Sequence, residues 1–198
     1  MRIVITGGPS VGKTTIITLL QKRGYQVIDE QATKILKEGK ILPWEDRHAF
    51  QNEVLRRQLD EEARLNDENR IVFLDRGVFD GEAYFIYDKL FVPTTFSRLN
   101  ADRYDLAFLV EELPFYEAND IRRENLEFTR ELTKIMERCY IKRGVPVVRV
   151  PFMTPEERVN LIISETRKLV PSVTMLHADS QKSMPMAAMM AEAMVNLA

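Results

Sequence analysis

The chain has one cysteine, one tryptophan and two histidines among its 198 residues. A lone thiol excludes an intramolecular disulfide, so a reducing, cytoplasmic setting is expected. Cys139 falls in an amphipathic helical pattern with no base beside it, which makes it a packing residue rather than a nucleophile. His48 and His177 are too far apart for a ligand-like spacing, and no structural metal is expected. No apolar run approaches the ~20 residues of a membrane span. A strand that starts at Arg2 and runs straight into a glycine loop predicts that there is no signal peptide. An excess of one charge is lacking too, because 28 Lys+Arg and 30 Asp+Glu leave a net charge of −2. Nothing in that balance marks nucleic acid as the main partner.

What is present is regular punctuation. Arg2 to Thr6, Tyr25 to Ile28, Ile71 to Leu74, Leu106 to Val110 and Val145 to Val150 read as short buried strands. Between them, helical patterns cover Lys13 to Arg23, Gln31 to Glu38, Asp46 to about Asn69, Phe79 to Leu90 and Arg122 to Lys142. Gly24, Gly39 and Gly144 close three of them. Thr154-Pro155-Glu156-Glu157 opens a last helix that runs to about Leu169. Alternating strands and helices predict an α/β fold of three layers, with a parallel sheet of about five strands covered on both faces. Ligands on such sheets bind at the carboxyl ends of the strands, a rule that gathers Gly7, Asp29, Asp75 and Glu111 at one edge.

Gly7-Gly8-Pro9-Ser10-Val11-Gly12-Lys13-Thr14 matches G-x-x-x-x-G-K-[ST] in full, between a strand and a helix as that motif requires. Glycines let successive N–H groups turn inward as an anion nest, and the helix that follows adds its positive end. Residues Gly7 to Thr15 are therefore expected to bind the phosphates of ATP or GTP, with Lys13 on the β- and γ-phosphates and the Thr14 hydroxyl on Mg2+. Asp75, at the end of the third strand, is the second expected magnesium residue. Arg76 is a candidate for neutralising a substrate phosphate or holding an acceptor. Asp29 and Glu30 end the second strand, and either acid can orient or deprotonate an acceptor hydroxyl. Arg122 and Arg123 begin a helix, where positive charge opposes the dipole, and are expected to close over a triphosphate. Trp44 is expected to pack over the long helix, with stacking on a ring of the ligand as the alternative.

With these residues in view, the chain resembles the AAA-type P-loop family that includes the nicotinamide-riboside kinase portion of bacterial NAD regulators and related GTP- and lipid-binding proteins. The resemblance rests on ITGGPSVGKTT at Ile5 to Thr15, LPWEDRHAFQNEVLRRQLDEE at Leu42 to Glu62, FLDRGVFDGEAY at Phe73 to Tyr84, YEANDIRRE at Tyr116 to Glu124 and GVPVVRVP at Gly144 to Pro151. It implies a P-loop NTPase fold of the nucleoside- or nucleotide-kinase kind, with a lid near 114–124 in which Arg122 and Arg123 face the nucleotide. That family mixes kinases with nucleotide-dependent binders, so two functions are open. One is a small-molecule kinase that transfers the γ-phosphoryl group to a nucleoside-like or other hydroxyl acceptor. The other is a nucleotide-gated binding module with slow hydrolysis. The acid pair at Asp29-Glu30 and the Asp75-Arg76 pair favour the kinase, because a pure switch does not need so many charges there.

The nucleotide-binding, kinase-like domain is expected to span 1–170. The remaining 171–198 form a methionine-rich segment in which Met186, Met189, Met190, Ala193 and Leu197 share one helical face. Packing on its own domain is the expectation for that helix, and a contact between copies of the chain is the alternative.

Overall fold

Ile3, Val4 and Ile5 follow one another in sequence and none exposes any side-chain surface. Only a strand covered on both faces can bury such a run. That strand, β1 (Arg2–Thr6), is the centre of a five-stranded sheet in a computed structural model that describes residues 1–65, 70–99, 101–112 and 126–169. The other strands are β2 (Gln26–Ile28), β3 (Val72–Asp75), β4 (Leu106–Val110) and β5 (Val147–Val150), and the order is β2-β3-β1-β4-β5. Every pairing is parallel. The helices are α1 (Lys13–Lys22), α2 (Gln31–Glu38), α3 (Arg47–Ala63), α4 (Val78–Tyr87), α5 (Leu126–Ile141) and α6 (Pro155–Leu169). Two 3-10 turns, Thr94–Arg98 and Ala101–Arg103, lie between α4 and β4. The chain divides after Arg167, and this sheet lies in the first unit, Met1–Arg167.

The twofold alternation of the strands sorts side chains into two cores. Val4, Leu74 and Ala107 pack with Leu55, Phe79 and Tyr140 from α3, α4 and α5. Ile3, Ile5, Phe73 and Phe108 pack with Ile16, Leu20, Val159 and Ile162 from α1 and α6. The result is the expected three-layer α/β/α fold. Because β1 and β3 are neighbours while α1 and α4 leave on opposite faces, the loops after these strands diverge and open a crevice at the carboxyl edge.

Several boundaries differ from the sequence expectation for local reasons. α3 starts at its expected cap, with Asp46 Oδ1 accepting from the Ala49 N–H at 2.8 Å, but it ends at Ala63 and leaves Leu65 outside. α4 stops at Tyr87 because Lys89 takes a left-handed φ of 53° and the Leu90 N–H turns back to the Phe85 carbonyl at 2.9 Å. β5 starts late because Pro146 has no N–H to give, although its carbonyl still accepts from Ala107 at 2.9 Å. Thr154 and Glu157 cap α6 reciprocally. Trp44 is 73% exposed, so the expected packing over α3 does not form. Cys139 is buried in the α3/α4/α5 core, and burial pushes its thiol up to about 12. No helix among the described residues is long and apolar enough to cross a membrane. The 114–124 segment with Arg122 and Arg123, His177 and the methionine-rich 171–198 lie outside the described residues.

Gly77, just before α4, shows how tightly the carboxyl edge is packed. A Cβ there would lie 2.8 Å from the hydroxyls of both Tyr104 and Tyr140, two side chains at most 2% exposed. Gly77→Ala is therefore expected to cost ~1–3 kcal/mol by overpacking. The measurement is urea unfolding, with a lower midpoint at unchanged slope. An unchanged midpoint would mean that the two rings can give way.

Candidate functional site

The phosphate-loop motif continues β1 and turns at once. Gly7 has φ 135°, and a Cβ on it would lie 2.6 Å from the Val110 carbonyl oxygen, so only glycine fits. α1 then opens with no acidic residue in its first turn and no side-chain cap on its N–H groups. Its positive end is left for an anion. Lys13 is 6% exposed and folds back across the loop, donating from Nζ to the carbonyls of Gly7 at 3.1 Å and Gly8 at 2.6 Å. Thr14 and Thr15 are exposed in the first turn.

Two side chains that the sequence reading passed over fix this loop. Arg158 of α6 is 2% exposed and donates to the carbonyls of Val11 at 2.8 Å, Pro151 at 3.1 Å and Glu111 at 3.1 Å. It ties the loop to the ends of β4 and β5. Thr133 of α5 accepts the Gly8 N–H at 3.0 Å.

Across the crevice, β3 delivers Asp75 and Arg76. Asp75 is 4% exposed, and its Oδ1 is a buried oxygen without a hydrogen-bond partner among the described residues. Burial pushes this carboxyl up to about 6, against the pull of the nearby Lys13 charge. Arg76 takes a left-handed φ of 71°, which costs a non-glycine residue roughly 1–2 kcal/mol. That backbone turn aims its guanidinium back along the sheet edge. Nε donates to Glu30 Oε1 at 2.6 Å, and Nη1 donates to the Gly7 carbonyl at 3.1 Å and to Asp80 Oδ1 at 3.3 Å. Its guanidinium carbon also lies 5.6 Å from the centre of the Tyr84 ring.

The two acids after β2 separate clearly. The Asp29 side chain is 66% exposed and meets Lys34 on the surface, at 3.8 Å. Glu30 turns inward at the N-cap position of α2, with a side chain 15% exposed. Its oxygens accept from Arg76 and, at 2.5 Å, from the Thr33 hydroxyl. Burial raises this carboxyl, but Arg76, Lys13 and the Thr33 hydrogen bond outweigh it and hold the group at about 2. The structure thus brings Lys13, Glu30, Asp75 and Arg76 together beside the loop and leaves Asp29 outside.

Asp80 completes the cluster and was not among the sequence candidates. It is 1% exposed and accepts from Thr6 Oγ1 at 2.6 Å, Tyr140 OH at 2.5 Å and the Gly77 N–H at 3.0 Å, besides Arg76. Its one signal in the sequence is an acid in the first turn of the otherwise apolar run Val78-Phe79-Asp80-Gly81.

Lys13 is a second buried cation of this group, beside Arg76. Burial and the Arg76 charge push its ammonium from 10.5 down to about 7, despite Asp75, Glu30 and Asp80. Between about 7 and 10.5 the unfolded chain then holds more protons than the folded one, so this residue makes stability rise with pH across that window. Lys13→Met is expected to flatten the rise and to be more stable than the parent below pH 7. Chemical unfolding at several pH values reads both effects, and a parallel pH profile for the two proteins would contradict them.

Three solved structures locate this arrangement among known folds. Deoxyadenosine kinase from M. mycoides is 16% identical over 85% of this chain and 100% of that one, with a TM-score of 0.61. Thymidylate kinase from Ehrlichia chaffeensis is 15% identical over 84% of this chain and 98% of that one, with a TM-score of 0.59. NadR protein in complex with NR is 19% identical over 84% of this chain, which spans only 50% of the NadR chain, with a TM-score of 0.63. At these identities the likeness is one of fold. No curated protein matches the sequence at a significant level. The family model described as AAA domain matches residues 2–158, and the chain accordingly belongs to that AAA-domain family of P-loop proteins.

Proposed function

We propose that this chain is a phosphotransferase that moves the γ-phosphoryl group of ATP, or of GTP, to a hydroxyl of a small nucleoside-like acceptor. The observation that carries the reading is the Arg76 bridge. One guanidinium joins the first carbonyl of the phosphate loop, at 3.1 Å, to the half-buried acid Glu30, at 2.6 Å. A donor site and an acidic residue suited to an acceptor hydroxyl are thereby held in fixed register. The shared fold with a deoxyadenosine kinase and a thymidylate kinase supports the same class of reaction.

In this reading the loop N–H groups of Gly7 to Thr15 and the end of α1 bind the phosphates. Lys13 leaves the Gly7 and Gly8 carbonyls for the β- and γ-phosphate oxygens. Magnesium fits the residues present, because the Asp75 Oδ1 is a buried oxygen with no partner among the described residues and Thr14 sits exposed at the start of α1. Those two residues would hold the ion, and when bound it would neutralise phosphate charge. Glu30, rather than Asp29, accepts the hydrogen bond of the acceptor hydroxyl and aims its oxygen at the γ-phosphorus. The new P–O bond forms as the bond to the β–γ bridging oxygen breaks. The hydroxyl proton leaves late, once the oxygen is acidic enough for a carboxylate as weak as Glu30 to take it. Arg122 and Arg123, which lie outside the described residues, would add charge on the nucleotide side of a 1–170 domain, with 114–124 as the lid that the family resemblance implies.

The test is transfer of label from γ-labelled ATP with magnesium across a panel of nucleosides, nucleoside monophosphates and small hydroxy acids. Label is expected in one class of acceptor, and Lys13→Ala is expected to slow transfer by ~10²-fold or more. Asp75→Asn is expected to shift the magnesium dependence to higher concentration. Label found only in inorganic phosphate across the whole panel would overturn the phosphotransferase and favour a nucleotide-gated binding module.

A further inference from the structure

The Asp75–Arg76–Gly77 turn carries two residues of the candidate site, yet much of its backbone is held from outside that site. The Arg76 N–H donates to the Ile5 carbonyl at 3.1 Å, within the sheet. The Arg76 carbonyl accepts from Gln58 Nε2 of α3 at 3.2 Å. The Val78 N–H donates to the Tyr104 hydroxyl at 2.7 Å. These last two contacts converge on one carboxylate. Glu62 Oε1 accepts from Gln58 Nε2 at 2.8 Å and from the Tyr104 hydroxyl at 2.7 Å, while Oε2 accepts from Arg103 Nε at 2.6 Å. Glu62 is 0% exposed, and an ionised carboxylate is the side chain that can accept from all three donors at once. Since Tyr104 must donate to Glu62, its oxygen is left to accept from Val78. The direction of each bond in this relay is therefore fixed.

We infer that Glu62 is a positioning residue: through Gln58 and Tyr104 it holds Arg76 in its left-handed turn and so sets where the guanidinium meets Gly7 and Glu30. A carboxylate serving only to join α3 to the 3-10 turn Ala101–Arg103 would need the Arg103 pair alone. Two more donors, one with its other contact on the Arg76 carbonyl and one on the Val78 N–H that follows Gly77, assign it to that turn. The catalytic consequence, though not the positioning itself, rests on the phosphotransferase reading.

Tyr104→Phe keeps the ring and removes the link between Val78 and Glu62. Gln58→Met keeps the length of the side chain and removes the link between Glu62 and the Arg76 carbonyl. The direct probe is the Arg76 Nε–H resonance in a 15N spectrum, assigned by its loss in Arg76→Lys, together with its exchange with solvent. In both variants, checked by urea unfolding to be folded, that exchange is expected to speed up about tenfold or more by local opening. On the best acceptor found for the parent protein, kcat is expected to fall about tenfold while MgATP affinity stays within about threefold. Unchanged Arg76 exchange in the folded variants, with or without a loss of global stability, would overturn the inference. So would an equal loss of MgATP affinity and kcat. If Arg76 exchange responds but no acceptor is phosphorylated, the positioning role stands and the phosphotransferase reading falls.

Discussion

The carboxyl edge of this sheet depends on one buried cation. Arg76 meets the phosphate loop through Gly7, the end of β2 through Glu30 and the start of α4 through Asp80. Burying a guanidinium is costly unless its donors are met, and a planar fork with fixed directions meets several acceptors at once. Here the acceptors belong to different segments, so satisfying the cation also fixes their relative positions. The strained backbone at Arg76 is the local cost of pointing that fork along the sheet edge instead of away from it.

Charge in the crevice is arranged around that cation. Burial, with the Arg76 charge beside it, pushes Lys13 down to about 7, and Glu30 is held at about 2 with Arg76 as its strongest partner. Asp75, buried with one oxygen unpartnered among the described residues, is pushed up to about 6. A triphosphate would relieve Lys13, and a divalent ion would relieve Asp75. The strain carried by these residues has the signs that a magnesium nucleotide would compensate, which gives the loop motif an electrostatic meaning beyond its pattern.

The phosphate loop was legible because its chemistry is local: eight consecutive residues specify the turn, the helix start, the lysine and the threonine. The place of Asp75 at the carboxyl edge was legible, since the apolar strand before it ends in that acid. The choice between Asp29 and Glu30 was not legible. Adjacent side chains after a strand point in opposite directions, and only the packing of α2 decides which turns inward. The helix α3 was legible, but its buried face was not. Its apolar residues include Ala63, which is exposed, while Gln51, Gln58 and Glu62 are buried at helical spacing beside Leu55. Hydrophobic periodicity cannot reveal a helix that buries a polar relay. Asp80 and Arg158 escaped for the same reason, as their partners (backbone groups, hydroxyls and, for Asp80, the Arg76 guanidinium) are brought together only by the fold.

The most direct measurement is Arg76→Lys, which keeps the charge but loses the fork. Nucleotide binding and phosphoryl transfer should be read on the same preparation, by MgATP titration and by transfer to the best acceptor of the parent protein. If Arg76 couples the donor loop to the acceptor acid, MgATP affinity stays within a few fold and transfer falls ~10²-fold, because a point charge cannot hold Gly7 and Glu30 together. Transfer at the parent rate with lysine in this place would contradict that coupling.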